Sequence, residues 1–190
     1  VELYPGTYSN ITCANGVGIV GIGSPTDVTV PGIAVSSGTT GNVHITNMTI
    51  TAVSNAVSVA GPSTAAKLFV KDVIFNLSTG GVTPVANANT IQVAGTGAVT
   101  LENVQFLGHQ RGNLKAPLAT ANIINSVLSV SATADMAVKA AAIRYVGTTI
   151  RGAGRANVQG GTAKADNIIG TYTPSGATVT AAAQQYRGKL

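Results

Sequence analysis

An eight-residue frame recurs along this chain: apolar, any, apolar, any, turn former, apolar, any, apolar. It reads VHITNMTI from Val43, LFVKDVIF from Leu68 and VTLENVQF from Val99. Weaker copies are VGIVGIGS from Val17, NIINSVLS from Asn122, IRYVGTTI from Ile143 and AKADNIIG from Ala163, at separations of 20 to 31 residues. The fifth column is Gly21, Asn47, Asp72, Asn103, Ser126, Gly147 and Asn167, all turn formers. The third column (Ile19, Ile45, Val70, Leu101, Ile124, Tyr145, Ala165) and the sixth (Ile22, Met48, Val73, Val104, Val127, Thr148, Ile168) are mostly apolar.

Two-residue alternation makes each half-frame a short, half-buried strand. The phase slips at column five, so the apolar positions on both sides point inward only if the chain bends there. Gly, Asn and Asp adopt left-handed backbone geometry at low cost and suit such a bend. A third strand follows several frames, at Asp27–Val30, Ala56–Val59 and Thr90–Val93. Three strands and three corners per repeat describe an all-β chain coiled as a single-stranded parallel β-helix of about 7–8 coils. Equivalent strands would stack about 4.8 Å apart, and Asn side chains at stacked corners can hydrogen-bond from coil to coil. An antiparallel sandwich, the rival fold, expects turns every 8–12 residues, and the coil-length repeat favours the β-helix. Residues 1–180 are assigned to it, and 181–190 to a C-terminal cap or interaction tail. Residues 107–120 and 131–142 read as insertions, each a short helix or interaction loop.

The opening, VELYPGTYSNIT followed by VGIVGIG, resembles the first coils of the pectate-lyase-like right-handed β-helix superfamily. The resemblance implies a right-handed coil, a first corner at Pro5-Gly6, and Tyr8 packed over the open end. Members of that group include polysaccharide lyases and hydrolases, phage tailspikes and other virion proteins. The enzymes among them carry carboxylate clusters, since hydrolysis uses paired carboxylates and calcium sites use acidic ligands. None of their catalytic motifs is recognisable in this chain, so no catalytic residue is carried over.

The six acids are Glu2, Asp27, Asp72, Glu102, Asp135 and Asp166, scattered singly. Asp72 and Glu102 could approach each other on neighbouring coils, but they read better as a corner residue and a solvated strand residue. His44 and His109, far apart and without nearby acids, make a poor metal site. Cys13 is the only cysteine, which excludes a disulfide framework and reads as a small buried residue. No catalytic, cofactor or metal residue is assigned, and no apolar run reaches membrane-helix length.

Charge is uneven. Residues 1–106 hold two cations and four anions, net −2, and residues 107–190 hold nine cations and two anions, net +7. Such a basic end could face an acidic partner. The candidate partner-binding residues are Arg111, Lys115, Arg151, Arg155, Arg187 and Lys189. No aromatic interrupts Arg151–Arg155, which disfavours single-stranded nucleic acid, whose binders use base stacking.

By analogy of fold and absence of catalytic chemistry, the expected role is structural. The chain reads as a non-enzymatic component of a tailed-phage virion: a capsid decoration or cement protein on the particle exterior, homotrimeric, docked on the major capsid protein or another virion protein. A glycan-binding tail spike, fibre or adhesin fragment is the alternative, and a polysaccharide lyase or hydrolase a third.

Overall fold

The computed structural model describes residues 1–13, 16–36, 41–52, 56–59, 67–76, 89–107, 112–129, 136–151, 155–166 and 175–179; for 136, 137 and everything from 150 onward it describes the backbone path. All regular structure among them is β-strand, paired parallel throughout. The chain is a parallel β-solenoid with three faces. Its opening contributes β1 (Glu2–Leu3), β2 (Gly6–Thr7) and β3 (Ile11–Cys13), one strand per face. The next pass gives β4 (Gly18–Gly21), β5 (Val28–Val30) and β6 (Ile33–Val35). Then β7 (Val43–Ile50) bends across two faces and β8 (Val57–Val59) takes the third. β9 (Leu68–Asn76) and β10 (Asn89–Val93) repeat that division, and β11 (Val99–Glu102) and β12 (Gln105–Leu107) separate it again. β13 (Gly112–Ile124), β15 (Met136–Val146) and β17 (Arg155–Asp166) each run from the third face onto the first face of the following turn. β14 (Val127–Ser129) and β16 (Thr149–Arg151) lie on the second face, and β18 (Ser175–Val179) pairs with β17. After the opening, the four turns that begin at β4, β7, β9 and β11 each place a strand on every face.

Inward positions are filled as the frame demands. Ile19, Ile45, Val70, Leu101, Ile123 and Tyr145 form one buried row on the first face. Met48, Val73 and Val104 follow each corner, all fully buried. Phe75 and Phe106 stack on the second face with centroids 4.8 Å apart and planes 11° apart.

From the second frame to the sixth the bend at column five is left-handed backbone; in the first frame Gly21 is not, and Gly23, at φ 102°, is the left-handed residue instead. Asn47, Asp72, Asn103 and Asn125 have φ of 58°, 54°, 53° and 48°, and Gly147 has 56°. Each position costs a residue with a β-carbon roughly 1–2 kcal/mol, least for Asn and Asp. Coil-to-coil hydrogen bonds offset that cost. Asn47 Nδ2 donates to the carbonyls of Gly21 and Gly23, both at 2.7 Å, and Asn103 Nδ2 donates to Asp72 Oδ1 at 3.0 Å.

The frame at NIINSVLS sits one residue earlier than the sequence pattern suggests. Leu101 pairs with Ile123, not Ile124, so the corner residue is Asn125 and Ser126 falls in column six. Ser126 is buried there; its hydroxyl donates to the Ile124 carbonyl at 2.8 Å and accepts from the Val104 amide at 3.1 Å. Thr148 occupies the same column one turn later and donates to the Ile123 carbonyl at 3.0 Å.

Two other expectations are corrected. Val28–Val30 is a second-face strand rather than a third strand, because the 23–27 turn delays it. The Asp27 carboxylate closes that turn by accepting from the Ser24 amide at 2.7 Å, and Ile33–Val35 supplies the third face. The supposed insertions are also solenoid where described: 112–120 belongs to β13 and 136–142 to β15, with no helix. Leu114, Ala116, Val138 and Ala140 point inward there. The 56–59 and 90–93 segments do form third-face strands, and Pro5 lies at the first corner, where Gly6 opens β2. Tyr8 packs against the core at that end and donates its hydroxyl to the Tyr4 carbonyl at 2.7 Å. The proposed cap or tail, 181–190, lies outside the described residues.

Candidate partner-binding surface

Three of the six acids bond to neighbouring groups of the coil. Glu102 lies in register with Lys71 on the first face, and Lys71 Nζ to Glu102 Oε1 is 2.9 Å. That carboxylate pushes the Lys71 ammonium pKa upward. Asp72, next in the chain, sits at the left-handed corner and accepts from Asn103. Asp27 is committed to its own turn. Asp72 and Glu102 therefore do lie on neighbouring turns, each facing its own partner. Among the described residues no three His, Cys, Asp or Glu side chains gather as metal ligands.

His44 is outward, as its column requires, and stacks on Phe69 of the next turn at 4.6 Å with planes 10° apart. Phe69 carries no motif of its own in the sequence. Its column, paired with that of His44, was the available signal.

Cys13 is 2% exposed, and burial pushes its thiol pKa upward. Both effects suppress the thiolate that reacts with disulfide reagents. Native protein is therefore expected to resist an aromatic disulfide reagent and to release one equivalent of chromophore per chain after denaturation. Fast reaction in the folded state would contradict the burial.

Of the predicted basic residues, Lys115 is described in full. It is half-buried on the outer side of the third face, in register with Gln92 on one neighbour and Lys139 on the other. Arg144, exposed on the first face, lies in register with Asn122 and Lys164. Arg151 and Arg155 are placed by backbone alone, opposite Ser129 and Met136. Arg111, Arg187 and Lys189 lie outside the described residues. Lys139 and Arg144 were missed in sequence. The likeness of Leu114-Lys115-Ala116 to Val138-Lys139-Ala140 could have revealed the first of them.

Beside Lys115 the coil changes size. Ala116 pairs with Ala140 and Thr120 with Ala142, so residues 117–119 face the single residue Ala141. This bulge buries Ala119 completely and leaves Leu118 58% exposed.

No protein-family model matches the chain, and no curated protein or solved structure matches it.

Proposed function

We propose that this chain is a structural protein of a tailed-phage virion: a right-handed rod of seven to eight coils that decorates the capsid exterior as a homotrimer. In this reading its basic half docks on an acidic surface of the major capsid protein or another virion protein, and it performs no catalysis. The observation that carries the reading is the use of the acids. Glu102, Asp72 and Asp27 are each engaged by Lys71, Asn103 and the Ser24 amide in holding turns in place. Because the turns stack in chain order, Lys115, Lys139, Arg144, Arg151, Arg155 and Lys164 all fall on the later of the described turns. A stacked coil with a charged end suits assembly.

The test is the mass of the purified protein by light scattering. The expected result is three times the 18.9 kDa chain mass. A stable monomer at high concentration sinks the trimer and with it the main physical support of the assembly reading. The outward His44–Phe69 stack favours glycan binding as the second reading. Glycan-array signal lost in Phe69→Ala would move the conclusion there.

A further inference from the structure

We infer that the bulge at residues 117–119, with Lys115 and Lys139 beside it, is a docking knob for an acidic protein surface that carries an apolar pocket. The inference rests on the reading of the chain as an assembly part, and it assigns the contact residues.

Two independent observations meet here. The first is a ladder of like charge. The outer row of the third face runs Thr12, Ala34, Ser58, Gln92, Lys115, Lys139, each in register with the next. Lys115 and Lys139 are thus direct neighbours across strands about 4.8 Å apart. Like charges placed directly opposite destabilise a sheet, and no residue of this row is acidic. A counter-charge from outside the chain would relieve the repulsion.

The second observation is the bulge. Bulges are built features that re-aim side chains. This one widens the corner between the third and first faces and holds Ala119 in the core. It presents Pro117 and Leu118 to solvent, with Leu118 58% exposed, and the facing residue of the next turn is only Ala141. Proline at this point stiffens the knob and removes a backbone donor. An exposed apolar side chain beside a pair of cations has the makings of an interface anchor, an apolar centre with a polar margin.

This composition favours a protein over nucleic acid. The cations Lys115, Lys139 and Arg144 of the later turns have no aromatic in register with them on the adjoining turns, where the neutral neighbours are Gln92 and Asn122. Single-strand binders rely on such stacking. An exposed leucine gives a phosphate backbone nothing, whereas an apolar pocket edged by carboxylates uses both parts of the knob.

The test is fluorescence anisotropy on the full chain with three labelled probes of equal length: an alternating Glu-Leu peptide, oligoglutamate and oligo-dT. The expected order is Glu-Leu tightest, oligoglutamate weaker and oligo-dT weakest. Lys115→Glu with Lys139→Glu should weaken both peptides by about tenfold or more at low salt, where exposed charges are least screened. Leu118→Ser should weaken only the Glu-Leu peptide, by about threefold to tenfold, the scale of a partly buried leucine contact. Lys67→Gln, at an exposed cation of an early turn, should leave all three unchanged. Equal loss in Lys67→Gln would show unspecific attraction and overturn the inference. So would an unaffected Leu118→Ser variant, or oligo-dT binding as tightly as the peptides. A monomeric mass by light scattering would count against the trimer and the assembly reading, while failure of the peptide series would count against the knob, because peptide binding is read on the isolated chain.

Discussion

Gly21→Ala is expected to lower the melting temperature by roughly 6–12 °C, from a loss of about 3 kcal/mol at a few degrees per kcal/mol for a chain of this size. The reason is a crossing of backbones. A β-carbon on Gly21 would overlap the Asn47 carbonyl oxygen and would come within 3.1 Å of the Asn47 carbonyl carbon and 3.2 Å of Val28 Cγ2. None of these is the free end of a flexible side chain. Asn47 cannot retreat easily, because its φ of 58° and its two amide bonds to Gly21 and Gly23 fix the corner. The rungs on either side, Ile19 with Ile45 and Thr29 with Thr49, hold the turns at strand spacing. Relief therefore requires unpicking a rung. Gly18→Ala is the control in the same strand: its β-carbon would meet only His44 Cβ, at 4.0 Å. That change should be neutral or stabilise by up to about 0.5 kcal/mol, since alanine loses less chain entropy than glycine. Thermal melts by circular dichroism on the two variants decide it. Matching melts would mean that the Asn47 corner does not cross Gly21 as described.

The same corner shows why parts of the fold were legible in sequence. A left-handed bend between two inward strands admits few residue types, so Asn47, Asp72 and Asn103 stand out between apolar columns. Legibility fades where the chemistry of a column changes. At Ser126 a hydroxyl replaces the apolar column-six side chain and satisfies backbone groups inside the core, so the pattern slipped by one residue there, whereas Thr148 stands in column six as read. The third face of the later turns was hidden for another reason. Its inward residues include Gly112, Ala116 and Ala140, which give little hydropathy contrast with their neighbours and so resemble loop. Binding residues were the least legible. Lys115 could be chosen for its charge, but its pairing with Lys139 exists only through the register of β13 on β15. Nothing in the sequence marks Leu118 as exposed. Its exposure follows from a corner of three residues stacked on a corner of one.

Phe106→Ala is expected to cost about 3–5 kcal/mol, the range for removing a buried phenyl ring. Phe106 is 1% exposed and lies in register with Phe75, itself fully buried, and Phe75 is in register with Ile50. In a globular core, neighbouring elements lean in and partly fill such a gap. Here the turn of Phe106 is pinned to one neighbour by Leu101 on Val70 and Gln105 on Ile74, and to the other by Leu101 on Ile123 and Gln105 on Val127, at about 4.8 Å. Little collapse is available, which places the cost toward the top of the range. The stacked rings should add about 0.5–1.5 kcal/mol of coupling beyond buried area. A double-mutant cycle on Phe75→Leu and Phe106→Leu measures that coupling, and strict additivity would show that the stack contributes only its area. The damage should also be local, because each turn of a solenoid touches only its neighbours. Hydrogen exchange in Phe106→Ala should quicken most at Leu68–Asn76, Val99–Leu107 and Val127–Ser129, and least at Ile11–Cys13. Uniform quickening along the chain would mean that the turns unfold as one unit and that the stack supports the whole coil.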